Sequence, residues 1–261
     1  MTDCVPVFLV CLCSTMIGAI SGIGGGVIIK PMLDMLIAGQ SMAAISMISS
    51  CGVLSMSLLS VLRNARAGEK RQRLRAFALP LAAGSTCGGV AGKLLFNLLK
   101  AWVNADAAVK TTQNLCLLAV MIAVFLLGLR KTERRETTPG TVPSLLVGLA
   151  LGLVAAFLGI GGGPLNMAVL TLLFGLSHKE GALYSLFIIV FSQTAGIVTS
   201  LLTPGYDIPA LSLIVTACCA GIGGSLIGRT LAKRMSDRAV VILYRAALVY
   251  IMAICVVNCV R

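Results

Sequence analysis

The chain has 261 residues, 58% hydrophobic and 11% charged, whereas soluble domains carry about 25% charged residues. Apolar runs near the roughly 20 residues needed to cross a bilayer recur from end to end, which excludes a soluble globular enzyme. The net charge of +12 does not read as nucleic-acid binding, because 14 of the 21 Lys and Arg residues fall in three short segments between apolar runs, 63–75, 130–135 and 229–238. That is the positive-inside signature of cytoplasmic loops.

In chain order, the apolar segments are 4–38, 41–62, 76–99, 110–129, 143–176, 181–202, 208–228 and 239–259. The first lacks the basic n-region of a cleavable signal, since Asp3 is the only charge before it, so it is read as part of the bundle. It is too long for one span and breaks at Gly22-Ile23-Gly24-Gly25-Gly26. Segment 41–62 carries Ser49, Ser50 and Ser55 near its middle, and segment 76–99 carries the small-residue ridge Gly84, Gly88 and Gly92. A basic, proline-containing linker, 130–142, follows segment 110–129. Segment 143–176 is again over-long and breaks at Gly159-Ile160-Gly161-Gly162-Gly163. Segment 181–202 carries Ser192, Gln193 and Thr194, and segment 208–228 carries a second ridge, Ala220, Gly224 and Gly228.

The glycine break recurs at an offset of 137, from Gly22 to Gly159, and the ridge recurs at 136, from Gly88 to Gly224. Two signatures at nearly one spacing indicate an internal duplication, a common design among secondary transporters. The expected organisation is one transmembrane domain over 1–261, with repeats at about 4–129 and 143–259.

The three basic clusters are expected on one side of the membrane. Segment 143–176 must then make no net crossing. Its arms, 143–158 and 164–176, would rise only about 24 and 20 Å as helices, short of the roughly 30 Å core. Loop charge fits two short tilted spans equally well; arm length favours a re-entrant hairpin. The predicted fold is therefore an all-α integral membrane protein of two inverted repeats, each a re-entrant, broken-helix hairpin plus three transmembrane helices. Both termini and loop 203–207 are expected outside the cytoplasm.

Non-helical backbone at membrane depth is tolerated only where protein buries it or water reaches it. The half-helices starting after the two glycine breaks would present unpaired N–H groups and positive dipole ends to a small anion. Pro164 suits the first turn of such a helix, where its missing N–H would be unpaired anyway. The candidate substrate residues are Gly24, Gly25, Gly26, Gly161, Gly162 and Gly163, with neutral donors from Ser50, Ser55, Asn166, Ser192 and Gln193 and a cation at Lys30. Glycines that merely allow sharp turns are the plainer reading of one break; the duplication favours a site. Intramembrane hydroxyls more often bond their own helix. Lys93 and Arg229 occupy matching positions near segment ends, where snorkelling is expected. The ridges fit either packing of the repeats on each other or a homodimer. The ten cysteines form no C-x-x-C pair, so they read as small packing residues. No cofactor or metal is expected, and the partners are a small anion and the lipid bilayer.

The paired G-x-G-G-G turns, each before an apolar half-helix, together with the later small-residue ridges, resemble the TauE/SafE sulfite-exporter family over essentially the whole chain. The resemblance implies a multi-pass protein of a cell membrane, the bacterial inner membrane, that moves sulfite, organosulfonates such as sulfoacetate, or related sulfur anions; the residues alone imply only a small anion. The first hairpin carries Lys30-Pro31 after its glycines and the second has no matching pair, so an asymmetric site is expected. The alternatives are a membrane subunit or channel for another small anion, without sulfur specificity, and an intramembrane enzyme. The enzyme is disfavoured because the single histidine, His178, stands at a loop boundary and no H-E-x-x-H or G-x-S-x-G occurs.

Overall fold

The computed structural model describes residues 3–37, 40–64, 78–103, 106–129, 140–158 and 161–260. Gly159 and Ile160, most of the 63–75 cluster, and the linker with its basic cluster up to position 139 lie outside the described residues. All regular structure among the described residues is helical. The helices are α1 (Cys4–Ser21), α2 (Gly26–Leu36), α3 (Met42–Asn64), α4 (Leu79–Val103), α5 (Asp106–Leu129), α6 (Thr141–Phe157), α7 (Gly163–Leu172), α8 (His178–Leu202), α9 (Leu211–Arg234) and α10 (Asp237–Val260). By length and composition, α1, α3, α8, α9 and α10 each hold a stretch long and apolar enough to cross a bilayer.

Both over-long segments break where the glycines stand. Gly22 closes α1 in the left-handed region (φ 76°), donating its N–H to Gly18 O at 2.9 Å. Gly25, also left-handed, opens α2. These dihedrals cost an L-residue's Cβ steric energy that glycine avoids. In the second break Gly162 opens α7 with the same hand, and Pro164 lies in the first turn. The arms are less equal than the hydropathy suggests. Helices α1 and α6 have 18 and 17 residues, about 27 and 26 Å at 1.5 Å per residue. Helices α2 and α7 have 11 and 10, about half a bilayer core. Elsewhere helix runs past the apolar residues: α4 continues through Lys100 to Val103 and α9 through Lys233 to Arg234. Hydropathy marks the buried part of a helix; backbone hydrogen bonding carries it further.

The two ridges are filled from within the chain. A Cβ added at Gly84, Gly88 or Gly92 of α4 would overlap the carbonyls of Leu145, Leu149 and Leu153 on α6, and one at Gly148 or Gly152 of α6 would overlap those of Leu81 and Ser85 on α4. On the other side, Gly224 and Gly228 of α9 lie against Leu12 and Met16 of α1, and Gly221 lies against Gly52 of α3. Among the described residues, helix pairs α4–α6 and α1–α9 make the two most extensive contacts. The first helix of each broken pair thus packs on a glycine-rich helix of the other half. Of the two uses the sequence left open for the ridges, packing of the halves on each other is the one observed; a homodimer through these faces would find them already covered.

Lys93 and Arg229 do more than snorkel. Lys93 Nζ donates to Gly196 O on α8 at 3.1 Å and to Ser200 Oγ, beneath the Tyr206 ring. Arg229 donates to Ser60 O on α3 at 2.5 Å. Each cation stands too far inside its helix to ignore the neighbouring carbonyl. His178 stands at the loop boundary as the first residue of α8, with its ring edge-on to Tyr244 at 5.8 Å.

Candidate functional site

The two glycine turns are adjacent in space. Gly163, the first residue of α7, sits so close to the first turn that a Cβ there would overlap the Ile23 carbonyl oxygen and come within 2.9 Å of Ile23 Cα. The backbones also match: Gly24 and Gly161 have φ of 84° and 68°, and Gly25 and Gly162 have 72° and 81°. Neither N-cap glycine brings a side chain to cap its helix, so the first-turn N–H groups of α2 and α7 are left to other acceptors.

Helix α8 runs past both turns. Its Ser185 donates to Gly22 O at 2.6 Å, its Ile189 meets Gly24, and its Gln193 brings Nε2 to 2.5 Å from where a Cβ on Gly161 would stand. On α3, Ser49 Oγ lies 3.5 Å from Gly26 O. On α10, Tyr244 donates to Pro164 O at 3.1 Å, holding the start of α7. Asn166 is fully buried one turn into α7, with its amide 3.3–3.5 Å from a Cβ position on Gly162. Among the described residues, neither its Nδ2 nor its Oδ1 has a hydrogen-bond partner. A buried amide without partners costs about 1–3 kcal/mol, and such a group in a native fold calls for a ligand, water or ion.

The structure gathers Gly161, Gly162, Gly163, Asn166 and Gln193 at the second turn, with Gly24, Gly25 and Gly26 in the first turn beside it. The hydroxyls of Ser55 and Ser192 donate to Cys51 O and Ile189 O of their own helices, which engages the one proton each carries. Ser50 is half-buried on α3 and makes no contact with the turns that the hydrogen bonds reveal. Lys30 is half-buried in α2, one turn past Gly26, and is followed by Pro31. Sequence reasoning missed Ser185 and Tyr244. Ser185 was signalled by its spacing of 136 from Ser49; nothing local marks Tyr244, whose bond crosses 80 positions.

The family model for sulfite exporter TauE/SafE matches residues 7–257, a match that takes in both turns and reaches into every helix named above. The chain belongs to the TauE/SafE family. No curated protein and no solved structure shows a significant match. As a TauE/SafE protein it is a multi-pass membrane transporter and not an enzyme.

Proposed function

We propose that this TauE/SafE protein is a secondary transporter of a small sulfur-containing anion, sulfite or an organosulfonate, bound where the two glycine turns meet. The observation that carries the site is Asn166, fully buried beside Gly162 with both amide atoms unpartnered among the described residues. Gln193 stands at the same turn, against Gly161. The N-termini of α2 and α7 add oriented N–H groups and a favourable dipole. Neutral donors and backbone amides hold an anion without a buried counter-charge that would resist its release. The family supplies the sulfur chemistry; the turns supply the means of holding an anion.

In this reading the two halves are inverted repeats, each a re-entrant hairpin (α1–α2 or α6–α7) followed by three crossings, with both termini and loop 203–207 outside the cytoplasm. The short α2 and α7 and the exchange of hairpin helices between halves support it. Asn166 and the first residues of α7, Gly163 and Pro164, are buried, so in this reading substrate reaches them through a movement of the surrounding helices.

Flux into liposomes by the purified protein tests the function. The panel is sulfite, sulfate, thiosulfate, short alkyl sulfonates, sulfoacetate, carboxylates, phosphate and organic cations. At least one sulfur anion should move and the cations should not. Movement of carboxylates or cations with no sulfur anion would sink the proposal.

A further inference from the structure

Asn166 carries a second message, which rests on the reading above. An amide presents two hydrogens on Nδ2 and two lone pairs on Oδ1. Were the site built only for bare anionic oxygens, the donor end alone would need a ligand, and the acceptor end would be tied to a backbone or side-chain N–H or O–H. In this fold both ends are buried and unpartnered among the described residues. That holds whichever way the amide is turned, because exchanging oxygen and nitrogen leaves both without partners.

The surroundings offer Oδ1 little. Tyr244 has donated its proton to Pro164 O, Ser185 to Gly22 O and Ser192 to Ile189 O. Thr171, one turn further along α7, bonds Met167 O. The Asn166 N–H is used in the helix, donating to Gly162 O at 2.8 Å. Ala155, whose Cβ lies 3.4 Å from the same Cβ position on Gly162 that the Asn166 amide meets, brings no donor, and the Gln193 amide stands against Gly161 without bonding Oδ1. An orphan acceptor in such a place is satisfied by a ligand that brings its own hydrogen.

We infer that Asn166 makes the site selective for sulfur anions that carry an O–H as well as acceptor oxygens: hydrogensulfite among the inorganic forms, and hydroxylated sulfonates among the organic ones. Such a ligand accepts from Asn166 Nδ2 and donates to Oδ1. A ligand without the hydrogen leaves Oδ1 buried and unpaired. Sites built to bond a substrate O–H reject analogues that lack it far more strongly than apolar pockets reject a missing methylene.

The test uses matched pairs and one buffer. In mildly acidic solution, where sulfite is mostly hydrogensulfite, calorimetry on the purified protein compares sulfite with chlorate, a pyramidal oxyanion of the same single charge without a hydrogen. It also compares 2-hydroxyethanesulfonate with ethanesulfonate. The hydrogen-bearing member of each pair that binds should bind roughly ten- to a hundredfold more tightly. In Asn166→Leu, of similar volume and without lone pairs, that ratio should fall to about one while the thermal unfolding midpoint holds or rises, since a buried unpaired amide has been removed. Equal affinities within the pairs in the native protein overturn the inference and leave the anion site standing, as does a ratio that survives Asn166→Leu. If Asn166→Leu does not fold, the native pairs alone decide. Failure of all four anions to bind, with sulfate, thiosulfate and sulfoacetate also silent, removes the sulfur-anion reading itself.

Discussion

The two glycine turns have the same backbone and different surroundings. Gly24 and Gly25 match Gly161 and Gly162 in hand and nearly in angle, so the local sequence G-x-G-G-G dictates the same bend twice. At the next position the halves part. Gly26 has room: a Cβ there would meet Ser49 Oγ and Val53 Cγ2 at 3.4 Å. Its counterpart 137 residues later, Gly163, is pressed against the Ile23 carbonyl. One turn further on, fully buried Ile29 in the first half corresponds to Asn166 in the second, and Lys30 corresponds to fully buried Met167. The lesson is that one local sequence repeats a bend, whereas the side chains placed around that bend differ between the copies, an apolar Ile29 in one and a buried amide at Asn166 in the other.

The largest expected effect breaks the symmetry outright. Gly163→Ala puts a methyl group into backbone that has no side chain to swing aside; overpacking of this kind costs about 3 kcal/mol or more. Folded yield from detergent, followed by size-exclusion chromatography, should collapse. Gly26→Ala, at the matching position, should be recovered near wild-type yield. Equal tolerance at the two positions would mean that the turns do not meet as described.

The next effect concerns binding. Gln193 on α8 corresponds, 136 positions earlier, to Ser57 on α3, a fully buried hydroxyl that donates to Val53 O of its own helix at 2.8 Å. Gln193→Ala should weaken sulfur-anion binding by about 1–3 kcal/mol if its amide is a desolvated partner, while Ser57→Ala leaves affinity unchanged. Titration of both variants with the anion that the liposome panel selects decides it. A loss from Ser57→Ala equal to that from Gln193→Ala would place the ligand evenly between the halves.

How far the sequence reached follows from which interactions are local. The breaks were legible because Gly22, Gly25 and Gly162 act through their own dihedrals, and Pro164 through its own missing N–H. The pairing of α4 with α6 was half legible: Gly84, Gly88 and Gly92 announce a close approach but not the helix that makes it. The contact of Gly163 with Ile23 and the bond from Tyr244 to Pro164 were invisible, since each depends on residues distant in the chain whose types are common. Ser55 and Ser192 were legible as polar groups, but the partner of each hydroxyl was not. A hydroxyl in the middle of an apolar helix is as well served by its own carbonyl four or three residues back, and that is where both went.

The smallest effect sharpens the comparison at the two cations. Lys93 and Arg229 stand 136 apart, and so do the residues whose carbonyls they reach, Ser60 and Gly196. The bond is therefore the same bond made twice, with an ammonium in one half and a guanidinium in the other. Each cation is partly exposed, so a charge-assisted bond that would contribute 1.5–3 kcal/mol when desolvated is screened to about 1 kcal/mol. Lys93→Met and Arg229→Met should each lower stability by that order in reversible unfolding. The Lys93 clasp has an extra part: its ammonium lies 5.3 Å from the centre of the Tyr206 ring, whose hydroxyl donates to Ala43 O at 2.9 Å and ties loop 203–207 to α3. Substituting Tyr206 alone removes that tie as well, so the ring's share must come from a double-mutant cycle of Lys93→Met and Tyr206→Leu. A coupling of about 0.5–1 kcal/mol is expected for an exposed cation over a tyrosine. A coupling of zero would leave the carbonyl bond as the whole of the clasp, and the two halves would then be equivalent here as they are in their turns.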